Sequence, residues 1–373
     1  MARIGFIDVT TTISYGGIQT AIWNLAQVIA SKGHEVTVVG GSSDEPRDYP
    51  DSVRRMTFPY IARDRFPNLG NRFRKLAERL SFAYYAQRFV QNEKFDWIIL
   101  SKPFDFFWPR IIGKSTGTRF AFTSGGTDFV ALDRYFAPKI DAWLACSHFN
   151  AWQIQARYRC FPTVMFYGVD TTAFKPTGDS SIRANLGLKK EDIVLGYAGR
   201  MVGWKGLDFA VEALANPMLK ETPVKLLLVG SGPSVRVLQE KAKQLGLADR
   251  IVFKPAVPHQ SLPGIYAACD IGIFPSIADE AFGITIAEAM SCGKPVIASH
   301  IGGIPEVVGN EESCGVLVPP GSAAALAQAI CTLASSPETR QRMGDASRAR
   351  IERLFTWDKA ADRLLSALAL PCA

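Results

Sequence analysis

The stretch RIGFIDVTTTISYGGIQTAIWNLAQVIASKGHEVTVVG, Arg3 to Gly40, decides the fold. RIGFIDV is an apolar run of strand length, TTTISYGG a polar loop with two glycines, GIQTAIWNLAQVIASKG a helical pattern closed by Gly33, and EVTVVG a second strand. Two such strands pair in parallel only across a long crossover, and the helix between them supplies it. Further strands at DWIILS, RFAFTS, AWLACS and TVMFYG extend that sheet. After YGVDTTAFKPTGDSS, rich in turn formers, the theme restarts with DIVLGYAG, VKLLLVGSG, RIVFKPA, CDIGIFPS, KPVIAS and CGVLVPP. Helical patterns SVRVLQEKAKQLGL, GITIAEAMSC and SAAALAQAICTLAS lie between them. The chain therefore reads as α/β, with two doubly wound, Rossmann-like parallel-sheet domains facing across a cleft. The expected division is 1–170, with a C-terminal helix 357–373 packing back onto it, and 171–356. In such sheets ligands bind beyond the carboxyl ends of the strands, and the cleft between two of them is the natural site.

Bulk properties agree. A chain of 373 residues exceeds one ordinary core and suits two domains. Apolar residues make up 47% and mean hydropathy is +0.06, so core material is ample, while no segment approaches the ~20 apolar residues of a membrane span. The opening residues meet Asp8 early and do not read as a cleavable signal peptide, which makes the cytoplasm the expected location. Seven cysteines, odd in number and without C-x-x-C spacing, read as free core thiols.

The net charge of +7 is unevenly spread. Between Arg54 and Lys94 ten basic residues face three acidic ones. The segment NRFRKLAERLSFAYYAQRFV places Phe73, Leu76, Leu80, Ala83 and Tyr84 at helical spacing with Arg72, Arg74, Lys75 and Arg79 among them. That pattern suits an amphipathic helix on an anionic inner-membrane surface, and equally a core-packed helix with a solvated basic face. Nucleic acid is not expected, since nothing resembles a reading helix, a finger or an RNP motif.

Chemistry-bearing residues fall at strand ends. GRMVGWKGLD places Arg200 and Lys205 on one strand-to-helix loop, where a guanidinium fork and an ammonium can hold a diphosphate or simply be solvated. VKLLLVGSGP turns at Gly230 and Gly232, where backbone can approach a ligand. DEAFGITIAEAM, Asp279 to Met290, carries Glu280 and Glu288 around a helix start expected near Phe282 or Gly283. The N–H groups of Phe282, Gly283, Ile284 and Thr285 then form an anion site at the positive end of the helix dipole. Glu280 before the helix can accept from sugar hydroxyls, and Glu288 inside it from a ribose. The plain alternatives are a helix-capping Glu280 and a Glu288 paired with a lysine.

Taken together these pieces resemble the retaining GT-B glycosyltransferases of family 4. The resemblance rests on the two glutamates with seven residues between them, the Arg200/Lys205 pair after a Gly-Arg, the Gly16-Gly17 loop, YGVDTTAF, and IGGIPEVV followed by CGVLVPPGS. It covers nearly the whole chain. It implies a nucleotide-sugar donor, UDP- or GDP-hexose, held mainly by the second domain, and a glycan or lipid-linked acceptor, with lipopolysaccharide, O-antigen or capsule assembly as the setting. By motif match Arg200 and Lys205 would hold the diphosphate, Glu288 the ribose, and Glu280 the donor sugar near the reacting centre. Gly17 would let the first loop close over the diphosphate, and Val257 would lie by the base. Two positions depart from the family pattern. Gly125 stands where many relatives carry histidine, with Asp128 kept nearby, and Tyr167 stands where asparagine is usual.

The mechanism implied is electrostatic. Cleavage of the anomeric C–O bond leaves negative charge on a nucleoside diphosphate, and stabilisation must be aimed there. GT-B relatives need no bound divalent ion, no Asp-x-Asp motif is present, and no cofactor or metal is expected. None of His34, His148, His259 and His300 is expected to act as a general base. Two rival readings are a GT-B nucleotide-sugar epimerase, for which no acid–base pair stands out, and a non-catalytic nucleotide-sugar-binding partner, which Gly125 and Tyr167 would favour. A dinucleotide oxidoreductase lacks its G-x-G-x-x-G.

Overall fold

The computed structural model describes residues 1–14, 16–43, 49–113, 117–126, 129, 133–177, 181–310 and 313–371. The chain divides into two compact units, Met1–Tyr167 with Trp357–Ala373, and Gly168–Thr356.

The first unit holds β1 (Arg3–Ile7), β2 (Glu35–Gly41), β3 (Arg54–Phe58), β4 (Trp97–Leu100), β5 (Arg119–Ser124), β6 (Ala142–Ala145) and β7 (Thr163–Val164). Their order is β3-β2-β1-β4-β5-β6-β7, every pairing is parallel, and the order reverses between β1 and β4. β1, β2 and β4 are buried on both faces, which is why they read as continuous apolar runs. β3 has no such run. Its sequence RRMTF is largely exposed, as suits an edge strand, and its two arginines disguise it as part of a charged surface. The Gly17–Ser31 helix stops where Gly33 takes a φ of 84°. The C-terminal Trp357–Ala367 helix packs beside it, with Lys32 Nζ 2.9 Å from the Asp362 carboxylate.

The Asn71–Glu93 helix corrects the sequence reading of its faces. Its buried side holds Phe82, Ala83, Ala86 and Val90, next to Trp108, Phe106 and Phe122 in one aromatic core. Each such large side chain withdrawn from water contributes about 1.5–3 kcal/mol. Phe73, Leu80 and Tyr84 are exposed, joined by Leu69 and Tyr85. Arg79, expected on the basic surface, is 2% exposed. Its guanidinium lies 3.2 Å from Asp105 Oδ2 and 3.5 Å from Asp8 Oδ1, and Lys102 Nζ lies 2.9 Å from Asp8 Oδ2. Burial pushes both carboxyls up. At Asp8 the charges of Lys102 and Arg79 outweigh burial and hold the pKa down at about 2, whereas at Asp105 burial prevails and raises it to about 6. An arginine enters this core only because two carboxylates come with it.

The second unit holds β8 (Ile193–Ala198), β9 (Val224–Val229), β10 (Ile251–Lys254), β11 (Ile271–Phe274), β12 (Val296–Ser299) and β13 (Gly315–Val318). The order is β10-β9-β8-β11-β12-β13, again all parallel, with its reversal between β8 and β11. Among the described residues no helix is long and apolar enough to cross a membrane. Six cysteines are free thiols, and Cys372 lies outside the described residues.

Candidate functional site

The reversal between β8 and β11 leaves a crevice at the carboxyl ends of these two strands, because their following loops leave in opposite directions. Arg200 and Lys205 follow β8, and Glu280 follows β11. The loops are tied together through backbone, with Ile277 N–H donating to the Trp204 carbonyl at 2.9 Å. Side chains then meet. The Lys205 ammonium pairs with Glu280 Oε1, and Ser276 Oγ donates to the same oxygen at 3.2 Å. Lys205 Nζ also stands 4.5 Å from the Trp204 ring centroid, and the Arg200 guanidinium 6.0 Å from it. Arg200 is exposed, and its carbonyl accepts from the Tyr197 hydroxyl at 2.8 Å. Burial and then the Glu280 charge raise the Tyr197 pKa, so the phenol keeps its proton.

Glu280 is also fixed through its main chain. Gly303 N–H donates to the Glu280 carbonyl at 2.7 Å. Gly302, at φ 61°, lies so close that a Cβ there would sit 2.8 Å from the Glu280 nitrogen. The Ile301-Gly302-Gly303 sequence after β12 is thus the seat of Glu280. Gly230 after β9 has a similar reason. With φ 150°, any Cβ on it would overlap the Gly199 carbonyl oxygen, so contact between the β8 and β9 loops requires this glycine by itself. Val257 is half-buried in the loop after β10.

The helix carrying Glu288 runs Ile284–Ser291, later than expected. Gly283 is its N-cap with φ 96°, a conformation outside the helix, and its carbonyl accepts the first bonds from Ile286 and Ala287 at 3.0 and 3.1 Å. The amides of Ile284 and Thr285 precede that ladder, as the first amides of any helix do. Phe282 belongs to the approach segment, with its ring buried edge-on against Phe355 at 5.5 Å. Glu280 does not cap this helix, which has no side-chain cap.

Glu288 is 3% exposed and its partner is a histidine where the plain alternative expected a lysine. His259 Nε2 lies 2.6 Å from Glu288 Oε1, while Glu288 Oε2 is buried without a hydrogen-bond partner among the described residues. Burial lowers the His259 pKa, but the bond to Glu288 and the charges of Glu288 and Asp170 outweigh it, and the net shift is upward. His259, Trp204, Ser276 and Tyr197 are contacts of the site that sequence reasoning missed. Trp204 directly precedes Lys205 and His259 follows Val257 by two positions, but nothing in the spacing of either marks it as a contact.

The remaining positions lie in the first unit. Gly16 is the extended N-cap and Gly17 the exposed first residue of the Gly17–Ser31 helix, while Asp128 lies outside the described residues. Gly125 is packed against Tyr167.

Residues 179–350 match the family model described as glycosyl transferases group 1, and residues 15–173 match that of glycosyltransferase family 4. The chain belongs to the family 4 glycosyltransferases. Among relatives of this glycosyltransferase is the D-inositol 3-phosphate glycosyltransferase of Segniliparus rotundus, 37% identical over 203 residues, 53% of this chain and 44% of the relative. That of Mycobacteroides abscessus is 36% identical over 207 residues, 53% and 44% of the two chains. The chain thus spans about half the length of the curated relatives it matches. Sucrose-phosphate synthase from Thermosynechococcus elongatus superposes with a TM-score of 0.84 at 22% identity, covering 99% of this glycosyltransferase and 98% of that chain. Alr3699/HepE from Anabaena, solved in complex with UDP and glucose, gives 0.79 at 22%, covering 99% and 100%. WaaG, a glycosyltransferase involved in lipopolysaccharide biosynthesis, gives 0.74 at 18%, covering 96% and 98%. These likenesses establish the GT-B fold.

Proposed function

We propose that this glycosyltransferase moves a hexose, with retention at the anomeric carbon, from UDP- or GDP-hexose to a glycan or lipid-linked acceptor in lipopolysaccharide, O-antigen or capsule assembly. The observation that carries the reading is the meeting of Lys205 and Glu280 at the strand-order reversal of the second unit. A diphosphate brings more negative charge than one carboxylate and takes Lys205 over, with Arg200 and the first amides of the Ile284–Ser291 helix beside it. Glu280, released from the ammonium but still held by Ser276 and the Gly303 amide, turns to the donor sugar. Stabilisation then falls on the leaving phosphate, where charge develops, without a metal or other cofactor. The leaving phosphate oxygen takes the acceptor proton, so Glu280 orients the sugar and is not a nucleophile. Glu288 receives the ribose, Val257 lies by the base, and Gly16 and Gly17 belong to the loop that approaches the donor. A UDP-hexose donor has support from the Anabaena complex, and the lipopolysaccharide setting from WaaG.

The acceptor side is proposed to work in the cytoplasm on an anionic membrane surface. Leu69, Phe73, Leu80, Tyr84 and Tyr85 are exposed around Arg72 and Arg88, which is the composition of an interfacial helix face. A thermal-shift panel of UDP- and GDP-hexoses tests the donor assignment. One of them should raise Tm in a concentration-dependent way, and a flat response to all would overturn the proposal.

A further inference from the structure

Glu288 has two carboxylate oxygens in different situations. Oε1 is bonded to His259 Nε2 at 2.6 Å, and Oε2 is buried with no hydrogen-bond partner among the described residues. A buried acceptor without a donor is costly until a donor hydroxyl reaches it. His259 is itself held in place. The Phe174 ring lies 5.2 Å from the imidazole, and the Phe174 carbonyl is gripped by Ser291 Oγ and by the Arg348 guanidinium, both at 2.6 Å. The other groups bearing on the pair are Asp170, whose Oδ1 caps Thr172 and Ala173, and the buried Tyr266 phenol, which donates to the Thr285 carbonyl at 3.1 Å. A 40% exposed imidazole on a fixed mount thus meets a carboxylate that is 3% exposed.

We infer that His259 is a positioning residue for nucleotide recognition: it occupies Glu288 Oε1 and fixes the carboxylate plane, so that Oε2 is reserved for a vicinal diol such as a nucleotide ribose. The bond does two things. It stops the carboxylate from rotating to satisfy both oxygens elsewhere, and it supplies a donor that keeps Glu288 an acceptor only. An alanine at 259 leaves Glu288 free to turn, and the diol then meets a mobile partner. Glutamine at 259 still offers an N–H to Oε1.

The inference rests on the proposed nucleotide site, and its test separates the two. UDP, GDP and their 2′,3′-dideoxy counterparts are titrated calorimetrically into the full chain as wild type, Glu288→Ala, His259→Ala and His259→Gln. Wild type should prefer the ribonucleotide by about tenfold or more, as expected for hydrogen bonds to a charged acceptor. Glu288→Ala should abolish that preference, His259→Ala should reduce it to within about threefold, and His259→Gln should restore most of it. Dideoxy affinity should be similar in all four. A His259→Ala protein that keeps the wild-type ribose preference while Glu288→Ala loses it overturns the role of His259, as does a glutamine variant no better than alanine. Wild type that binds neither diphosphate overturns the nucleotide site itself and the inference with it.

Discussion

The Tyr167 hydroxyl occupies the space into which a side chain at Gly125 would grow. A Cβ built on Gly125 overlaps the phenolic oxygen, with Tyr167 Cζ at 3.3 Å and Ile18 Cγ1 at 3.1 Å. Tyr167 is 4% exposed, and burial raises its pKa well above the usual phenol range. A side chain at 125 and the phenol at 167 therefore compete for one space.

Gly125→Ala should accordingly destabilise the protein by about 1–3 kcal/mol, the ordinary cost of overpacking. Tyr167→Phe removes the clashing atom, so the double variant should recover part of that loss. Urea unfolding of the two single variants and the double variant measures the coupling, expected at about 0.5 kcal/mol or more. Additive losses would mean that the two residues do not share the space.

Lys205→Ala and Arg200→Ala should each lower kcat/KM by roughly 2–4 kcal/mol of transition-state stabilisation, with circular dichroism unchanged. Glu280→Ala should depress turnover while leaving nucleoside diphosphate affinity equal or tighter, since Lys205 loses its competing carboxylate. Glu288→Ala should weaken that affinity. Equal affinity losses at Glu280 and Glu288 would show that their order along the donor is wrong.

Much of this was legible in the sequence. Strands buried on both faces announce themselves as apolar runs, so β1, β2, β4, β8, β9, β11 and β12 were plain from pattern, while β10 and β13, half-buried edge strands, still kept a short apolar run. The glutamates stood out because charge is rare in such surroundings. The edge strand β3 was not legible, because an exposed strand has no apolar run to show. Arg79 misled because its two counter-charges, Asp8 and Asp105, are distant in sequence and join it only through the sheet. His259 was invisible as the partner of Glu288 for the same reason, being 29 residues away on another loop. The Glu288 helix begins at Ile284 with Gly283 as its N-cap, beside the later of the two expected positions, and the φ of Gly283 sets that boundary.

The buried carboxyls set a pH dependence. Asp105, raised from 3.8 to about 6, keeps its proton in the folded state where the unfolded chain has lost it. That contribution is complete below about pH 4 and is lost as pH rises through 6. Asp8, lowered to about 2, acts oppositely, and its contribution fades only as pH falls from about 4 through 2. Asp105→Asn removes the first effect. Its stability relative to wild type should rise between pH 4 and 6, by at most about 3 kcal/mol. Urea midpoints at four pH values decide it, and parallel profiles would contradict the assignment.

Membrane attachment should depend on the exposed basic residues and not on the buried Arg79. Changing Arg65, Arg72 and Arg88 to glutamine should remove most binding to acidic vesicles at low salt, each near-surface cation being worth about 1 kcal/mol. Arg79→Gln should instead destabilise the first unit by about 3–5 kcal/mol, because it strands the buried Asp105 carboxylate and leaves Asp8 with Lys102 alone. Vesicle flotation at low and high salt, beside thermal melts, separates the two. Wild type that fails to float at low salt would remove the membrane from the account and leave the donor site untouched.

The central claim is that the second unit holds a nucleotide sugar with Lys205 at its diphosphate. The most direct measurement is hydrolytic release of UDP or GDP from the matching hexose donor, water taking the hexose in place of the acceptor, by wild type and by Lys205→Ala, each verified as folded. The account predicts steady release by wild type and a loss of about 30-fold or more in the variant, the equivalent of at least 2 kcal/mol. Release at the wild-type rate by Lys205→Ala, or none from any UDP- or GDP-hexose by wild type, would contradict it.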